Sequence, residues 1–306
     1  MSFILLCKCV SGWSFCRLIW FHLRLSIIEM RAIVIPECGG PEVLKISEIA
    51  IPEITPIQIL VRNHVAGVNY IDCYHRSGLY AVPLPYTPGR EAAGIIEKVG
   101  SQVSGWKVGD RVCYCGAGTY AEYTAVDPKF CIALPASITS QQGACLLLQG
   151  LTSIVLSSHC HKVTQGETVL IHASAGGMGL LLVQLCKLAG ATVIGTASTA
   201  DKASVATQAG ADHVILYTSD PVAETVLKLT NNAGVDCVFD GVGKSTFDES
   251  LKCLKRLGSM VSFGNASGAV DPVPLTKLVP RCIRLMRPSL FEFLKTREDF
   301  EQSKFC

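Results

Sequence analysis

Along the second half of the chain, short apolar runs rich in β-branched residues alternate with longer amphipathic segments, and a glycine marks each switch. Glu167-Thr-Val-Leu-Ile171 predicts a buried strand, His172 to Gly179 a turn, and the apolar run Leu180 to Leu188 a helix. Four further switches follow. Gly190 leads into Ala191 to Thr196, Gly210 into Ala211 to Tyr217, Gly234 into Val235 to Asp240, and Gly258 into Ser259 to Gly264. Glycine just past a helix end supplies a left-handed cap, and short strands alternating with helices imply right-handed crossovers onto a parallel sheet. Residues 151–287 are therefore expected to form a doubly wound α/β domain.

The first half follows a period of two. Between Met30 and Pro135, alternating runs such as Ile57 to Asn63 and Gly94 to Val99 are separated by Pro, Gly and Asp turns, which predicts a small β-rich barrel. The expected organisation is an extension over 1–29, a barrel domain over 30–150, the doubly wound domain over 151–287 and a short tail over 288–306.

The turn after the first strand of the second half carries chemistry. Gly176, Gly177 and Gly179 remove the side chains that would keep a pyrophosphate from the backbone N–H groups at the positive end of a helix. In the G-x-G-x-x-G pattern of Rossmann-type sites the first glycine is replaced by Ser174, so the motif alone is weak. About 20 residues further on, an NAD site usually carries a carboxylate for the ribose 2′-hydroxyl. That place holds Thr196, Ala197 and Ser198, with Thr199 and Lys202 close behind. Hydroxyls and an ammonium suit a 2′-phosphate, which favours NADPH. The competing reading has Asp201 on the ribose and Lys202 in solvent.

Asn69 to Tyr80, Pro88 to Gly94, Val108 to Val112, Asp240 to Gly243, Ser262 to Val270 and Arg287 to Leu290 occur in that order. In these segments the chain resembles the medium-chain dehydrogenase/reductase superfamily, and within it the zinc-free NADPH:quinone oxidoreductases related to zeta-crystallin, over about residues 30 to 299. The resemblance implies a GroES-like barrel beside the Rossmann-type domain. It also implies that Asn69, Tyr70, Ile71 and Asp72 face the nicotinamide, with Thr152 near its carboxamide. Gly176, Gly177, Met178, Gly179 and Leu180 would hold the pyrophosphate. Ser198 and Lys202 correspond to ligands of the 2′-phosphate, and Tyr217 to an aromatic beside the adenine. Val242, Gly243, Phe263, Gly264 and Ser267 correspond to contacts with the nicotinamide ribose and ring. Asn69, Asp72, Tyr74 and Tyr80 are the candidate catalytic residues. Tyr74 and Tyr80 suit a substrate cleft, and equally suit a core or interface with satisfied hydroxyls.

Fifteen cysteines raise the question of zinc. Asn69 stands where the zinc branch has a cysteine, Gly89-Arg90-Glu91 stands where it has Gly-His-Glu, and no C-x-x-C occurs. His159, Cys160 and His161 are too close in sequence to converge on one ion. Cys113 and Cys115 on a strand would share a face and pack. No G-x-S-x-G elbow supports a hydrolase, and His172 inside the first strand-turn unit suits a satisfied core histidine. A net charge of +2 without a basic run excludes an electrostatic case for nucleic acid. Free thiols without framework spacing point to a reducing, cytoplasmic setting.

Both ends depart from the family pattern. Residues 1–29 are apolar but broken by Lys8, Arg17, His22 and Arg24, so no membrane span is expected; an upstream extension is the expectation, with an import signal as the alternative. The tail stops at Cys306, which predicts an incomplete barrel edge with exposed apolar surface. Two functions follow. One is an NADPH-dependent reductase of quinones, 2-alkenals or related enones, which the resemblance implies is a homodimer paired through the edge near Ser259 to Phe263 and the segment that follows it. The other is an NADPH-binding protein with little catalysis.

Overall fold

The computed structural model describes residues 29–302. The expectations for the extension before Glu29 lie outside those residues. The N-terminal half contains β1 (Glu29–Val34), β2 (Lys45–Ala50), β3 (Ile59–Ala66), α1 (Tyr70–Ser77), β4 (Glu91–Val99), β5 (Arg111–Cys115), β6 (Tyr123–Val126) and β7 (Cys131–Ala133). β1 and β2 form an antiparallel ribbon; the other five make an antiparallel sheet in the order β6-β3-β4-β5-β7. Alternation along β5 sends Val112 and Tyr114 into one core with Ile59, Val61 and Ile96, and Cys113 and Cys115 into another with Leu147 and Leu151. The two cysteines do share a face, and that face is packed.

α2 (Ser140–Ile154) continues as a wider helix to Cys160 and joins the halves. It starts sharply because Thr139 and Gln142 form a capping box: Thr139 N donates to Gln142 Oε1 (2.9 Å) and Gln142 N to Thr139 Oγ1 (3.2 Å). Ser140–Cys160 is long and apolar enough to cross a membrane. Here it is a core helix, with Leu147, Leu148, Leu151, Val155 and Leu156 buried.

The C-terminal half then runs β8 (Thr168–Ile171), α3 (Gly177–Leu188), β9 (Thr192–Ala197), α4 (Ala200–Gln208), β10 (His213–Leu216), α5 (Val222–Leu229), β11 (Val235–Asp240), α6 (Phe247–Cys253), β12 (Leu254–Ser262) and β13 (Arg284–Met286). All six strands are parallel in the order β10-β9-β8-β11-β12-β13, so the chain reverses its winding between β8 and β11. Side chains alternate across the sheet: Val169 and Ile171 enter the core under α3, and Leu170 enters the one under α5 and α6. Gly190, Gly210 and Gly234 take left-handed backbone, with φ of 83°, 115° and 81°. The fourth switch differs. Leu257, not Gly258, is left-handed (φ 63°), because α6 ends at Cys253 and β12 begins five residues before Ser259, with a register shift against β11.

α7 (Leu290–Phe293) and α8 (Arg297–Gln302) return to the barrel. They bury Leu294 and Phe300 against the α2 face of its sheet, with Phe130 edge-on to Phe291 and Phe300. A groove of about 1020 Å³ remains elsewhere on the barrel, bounded by Ile57, Val103, Trp106, Ile132 and Leu134 among others.

Candidate functional site

Where the winding reverses, the carboxyl ends of β8 and β11 leave a crevice, the usual ligand position in such sheets. The chain leaves β8 through His172 and Ala173 and enters α3 at Gly177, with Gly176 as its extended N-cap (φ −80°, ψ 169°). The first N–H groups of a helix have no partner within it, so those of α3 are available to an anion. A Cβ on Gly177 would collide with Gln149 Oε1, and one on Gly179 would collide with Ala173 O and lie 2.7 Å from Ser174 Cα. Ser174 replaces the missing first glycine at no cost. Its N–H and hydroxyl both donate to Thr196 O (3.0 and 3.1 Å), and Gly195 leaves it room.

The crevice opens into a cleft of about 660 Å³ between the two halves. Of the residues singled out from the sequence, it brings together Asn69, Tyr70, Ile71, Tyr74, Tyr80, Thr152, Gly176, Gly177, Met178, Gly179, Val242, Phe263 and Gly264. Leu180, Ser198, Lys202, Tyr217, Gly243, Ser267 and Asp72 do not line it. Ser198, Lys202 and Tyr217 instead cluster beyond the ends of β9 and β10. Lys202 Nζ donates to Ser198 Oγ (3.2 Å), Tyr217 N to Ala197 O (3.2 Å), and the Tyr217 side chain is exposed. Gly243 and Ser267 shape the loop after β11: Gly243 N donates to Asp240 Oδ1 (3.0 Å) and Ser267 Oγ to Val242 O (2.9 Å).

Asp72, expected to face the nicotinamide, is buried and does not line the cleft. Its Oδ2 accepts from Asn69 N (3.0 Å) and Tyr120 OH (2.7 Å), and its Oδ1 accepts from Gly89 N (3.2 Å). Asn69 in turn donates through Nδ2 to Glu91 Oε1 (2.8 Å) and accepts at Oδ1 from Gln149 Nε2 (3.3 Å). Glu91 Oε2 takes the N–H of Leu148 on α2 (2.7 Å), and burial raises its pKa above the ordinary carboxylate value. This chain fixes the barrel's Asn69 against the helix that carries Gln149 and Thr152. Reasoning from sequence missed Glu91, Gln149 and Tyr120. A buried carboxylate is visible only once its partners are folded around it.

The tyrosines clasp the two domains together. Tyr74 OH accepts from Asn265 N (2.7 Å), Tyr70 OH donates to Ala266 O (3.2 Å), and Tyr74 and Tyr80 meet edge to face at 5.0 Å. Asn265 satisfies its neighbours in one amide orientation, with Nδ2 donating to Gly264 O (2.9 Å) and Oδ1 accepting from Arg287 Nη2 (3.0 Å) and Tyr80 OH (3.2 Å). Arg287 also donates to Tyr80 OH (2.6 Å). Burial, outweighing the hydrogen bond from Asn265, raises the Tyr74 pKa and keeps its proton on.

His172 lines the cleft yet is satisfied, as expected of a core histidine: Nδ1 faces Thr196 Oγ1 (3.2 Å) and Nε2 faces Ser250 Oγ (2.9 Å), itself bonded to Asp240 (3.0 Å). Burial lowers its pKa below the ordinary 6.5 despite Asp240. The unfolded chain then binds a proton that the folded chain refuses. The stability contributed by neutral His172 is present above pH 6.5 and is lost progressively as pH falls from that value towards the lower pKa of the folded state. His75, also lowered by burial, acts in the same direction. Urea unfolding is expected to show stability falling with acidification from about neutral pH, and His172→Gln is expected to flatten that slope. An unchanged slope would contradict the assignment.

The zinc donor set is not assembled. Asn69 and Arg90 occupy the two positions named above, and among the described residues no three His, Cys, Asp or Glu side chains converge on a point. No described cysteine forms a disulfide.

Known proteins match both halves. The alcohol dehydrogenase GroES-like domain profile matches residues 55–136, and the zinc-binding dehydrogenase profile matches residues 177–303. The chain is 42% identical to the quinone oxidoreductase of Pseudomonas aeruginosa over 267 residues, 86% of this chain and 82% of that one. It is 37% identical over 286 residues to the 2-haloacrylate reductase of a Burkholderia species, covering 90% of this chain and 86% of that one. The crystal structure of Escherichia coli quinone oxidoreductase complexed with NADPH superposes with a TM-score of 0.86 at 41% identity, covering 90% of this chain and 85% of that one. Barrel, wound sheet, glycine turn and missing zinc donors thus coincide with sequence identity along nearly the whole chain, which belongs to the zinc-independent quinone oxidoreductase family of the medium-chain dehydrogenase/reductase superfamily.

Proposed function

We propose that the protein is an NADPH-dependent, zinc-independent reductase of quinones and related conjugated carbonyls. The observation that carries this reading is a single cleft lined both by the glycine turn that opens α3 and by Asn69, Tyr74 and Tyr80 of the barrel. The turn fits a dinucleotide: helix N–H groups are unclaimed, and side chains are absent where a pyrophosphate must approach. Bound NADPH supplies the hydride, and the protein binds, orients and excludes water.

Gly176 to Leu180 hold the pyrophosphate, Ser198 and Lys202 the 2′-phosphate, and Tyr217 stacks beside the adenine. Val242, Gly243, Phe263, Gly264 and Ser267 shape the ribose side. Asn69, Tyr70, Ile71 and Thr152 form the wall beside the ring, with Asp72 holding Asn69 from behind. Tyr80, donated to by Arg287, lies at the acceptor end, where an oxygen gaining charge needs donors. A relative named for quinones and another named for a haloacrylate both fit this chemistry, because each acceptor has a double bond conjugated to oxygen-bearing carbon.

The protein is proposed to be a homodimer. β13 is one edge of the six-stranded sheet, and Leu285, Met286, Leu275 and Val279 are exposed on or near it. Light scattering is expected to give twice the chain mass. Buried, unpaired thiols such as Cys115 and Cys237, whose pKa values burial raises, suit a reducing cytoplasmic environment. The test of function is an acceptor panel: NADPH consumption with quinones, 2-alkenals and acrylates in turn. Consumption with at least one class supports the reading. NADPH binding without turnover on any class would replace it with a binding role.

A further inference from the structure

We propose that Arg90 selects the acceptor, favouring quinones and enones that carry an anionic group such as a carboxylate or sulfonate over neutral ones. The inference rests on the reductase reading and adds a substrate class to it. Arg90 lines the cleft together with Phe291, and its guanidinium carbon lies 4.6 Å from the centre of that ring. Its Nε is buried with no hydrogen-bond partner among the described residues. Arg90 belongs to none of the ion pairs formed among the described residues.

The surroundings supply no counter-charge. Among the described residues no Asp or Glu lines the cleft, whereas a second cation, Arg287, does. Glu91, the next residue, and Asp72, which faces the same His75 and Tyr86, are engaged elsewhere: Glu91 holds Asn69 and Leu148, and Asp72 holds Asn69, Gly89 and Tyr120. His75 is kept neutral by burial and by Arg90 itself. The two arginines also differ in occupation. Arg287 spends its donors on Ser262 O, Gly264 O and Tyr80 OH. Arg90 is hydrogen-bonded to Tyr86 and stacks on Phe291, which leaves its remaining N–H groups, the unpartnered Nε among them, for an oxyanion that presents two oxygens at the guanidinium edge. An unmet buried donor is costly, and an anionic acceptor would relieve it.

The experiment compares naphthoquinone sulfonate with unsubstituted naphthoquinone as acceptors for NADPH in wild type, Arg90→Gln and Arg90→Lys. The sulfonate also changes the quinone's potential, so the readout is the ratio of kcat/KM values within each protein. Arg90→Gln is expected to lower the anionic-to-neutral ratio roughly 10- to 100-fold, and Arg90→Lys, which keeps the charge but loses the fork, by less. Equal loss on both acceptors would overturn the proposal. If Arg90→Gln does not fold, as judged by NADPH binding, Arg90→Lys decides, and an unchanged ratio in it overturns the proposal. If wild type turns over neither quinone, the reductase reading fails separately. Arg90 is then judged by fluorescence quenching with naphthoquinone sulfonate, where affinity unchanged by Arg90→Gln overturns it.

Discussion

Replacing Ser198 and Lys202 together by Ala is expected to weaken NADPH binding roughly 10- to 100-fold and to change NADH binding by less than about twofold. The two side chains are hydrogen-bonded to each other at the start of α4, so a 2′-phosphate arriving there meets a hydroxyl and an ammonium at one point. Thr199 caps the helix behind them by accepting the Lys202 N–H (3.3 Å), which holds the turn whatever the side chain at 202. Lys202 is exposed, so the effect should shrink as salt rises. Titration of each nucleotide at low and high salt measures both statements. Equal weakening of NADPH and NADH would mean that the cluster does not read the phosphate.

Gly179→Ala and Gly176→Ala make the same chemical change three residues apart, with opposite expected results. A methyl group on Gly176 meets only Ala173 O, at 3.2 Å, so this variant should fold with nearly wild-type stability and still bind NADPH measurably, weakened by the methyl beside the pyrophosphate. On Gly179 it collides with three backbone atoms: Ala173 O, Ser174 C and Ser174 Cα. Backbone cannot swing aside as a side chain does, so strand and helix must part. Overpacking of this kind costs about 1–3 kcal/mol, and displacement of the first turn of α3 should abolish measurable NADPH binding. Thermal melts and titration of the two proteins side by side decide it. A Gly179→Ala protein as stable and as tight as Gly176→Ala would remove the turn from the account.

Most of the fold was legible because its signals are local. β-branched runs between capping glycines gave the strands from β8 to β11 within two residues at their ends, since helix and strand leave different periods in the sequence. The exception is instructive. Gly258 looked like the fourth cap, but the chain turns left-handed at Leu257, where pairing with β11 overrides residue preference. The site was legible where a glycine spacing marks it, as in Gly176 to Gly179, which line the cleft. The resemblance sets Asp72 beside Asn69 facing the nicotinamide, yet only Asn69 lines the cleft. A helix directs successive side chains about 100° apart, and Asp72 turns inward to Tyr120 and Gly89. Glu91, Gln149 and Arg287 come from other elements and meet the site only through tertiary packing.

The most direct test of the central claim is a single-turnover mixing experiment. Protein dialysed against a chelator is loaded with one equivalent of NADPH, and a quinone is added while nicotinamide absorbance is followed. The account predicts stable absorbance before addition and complete loss afterwards, at a rate unaffected by added zinc. Persistence of the reduced nicotinamide in the presence of quinone, or oxidation that begins only when zinc is restored, would contradict it.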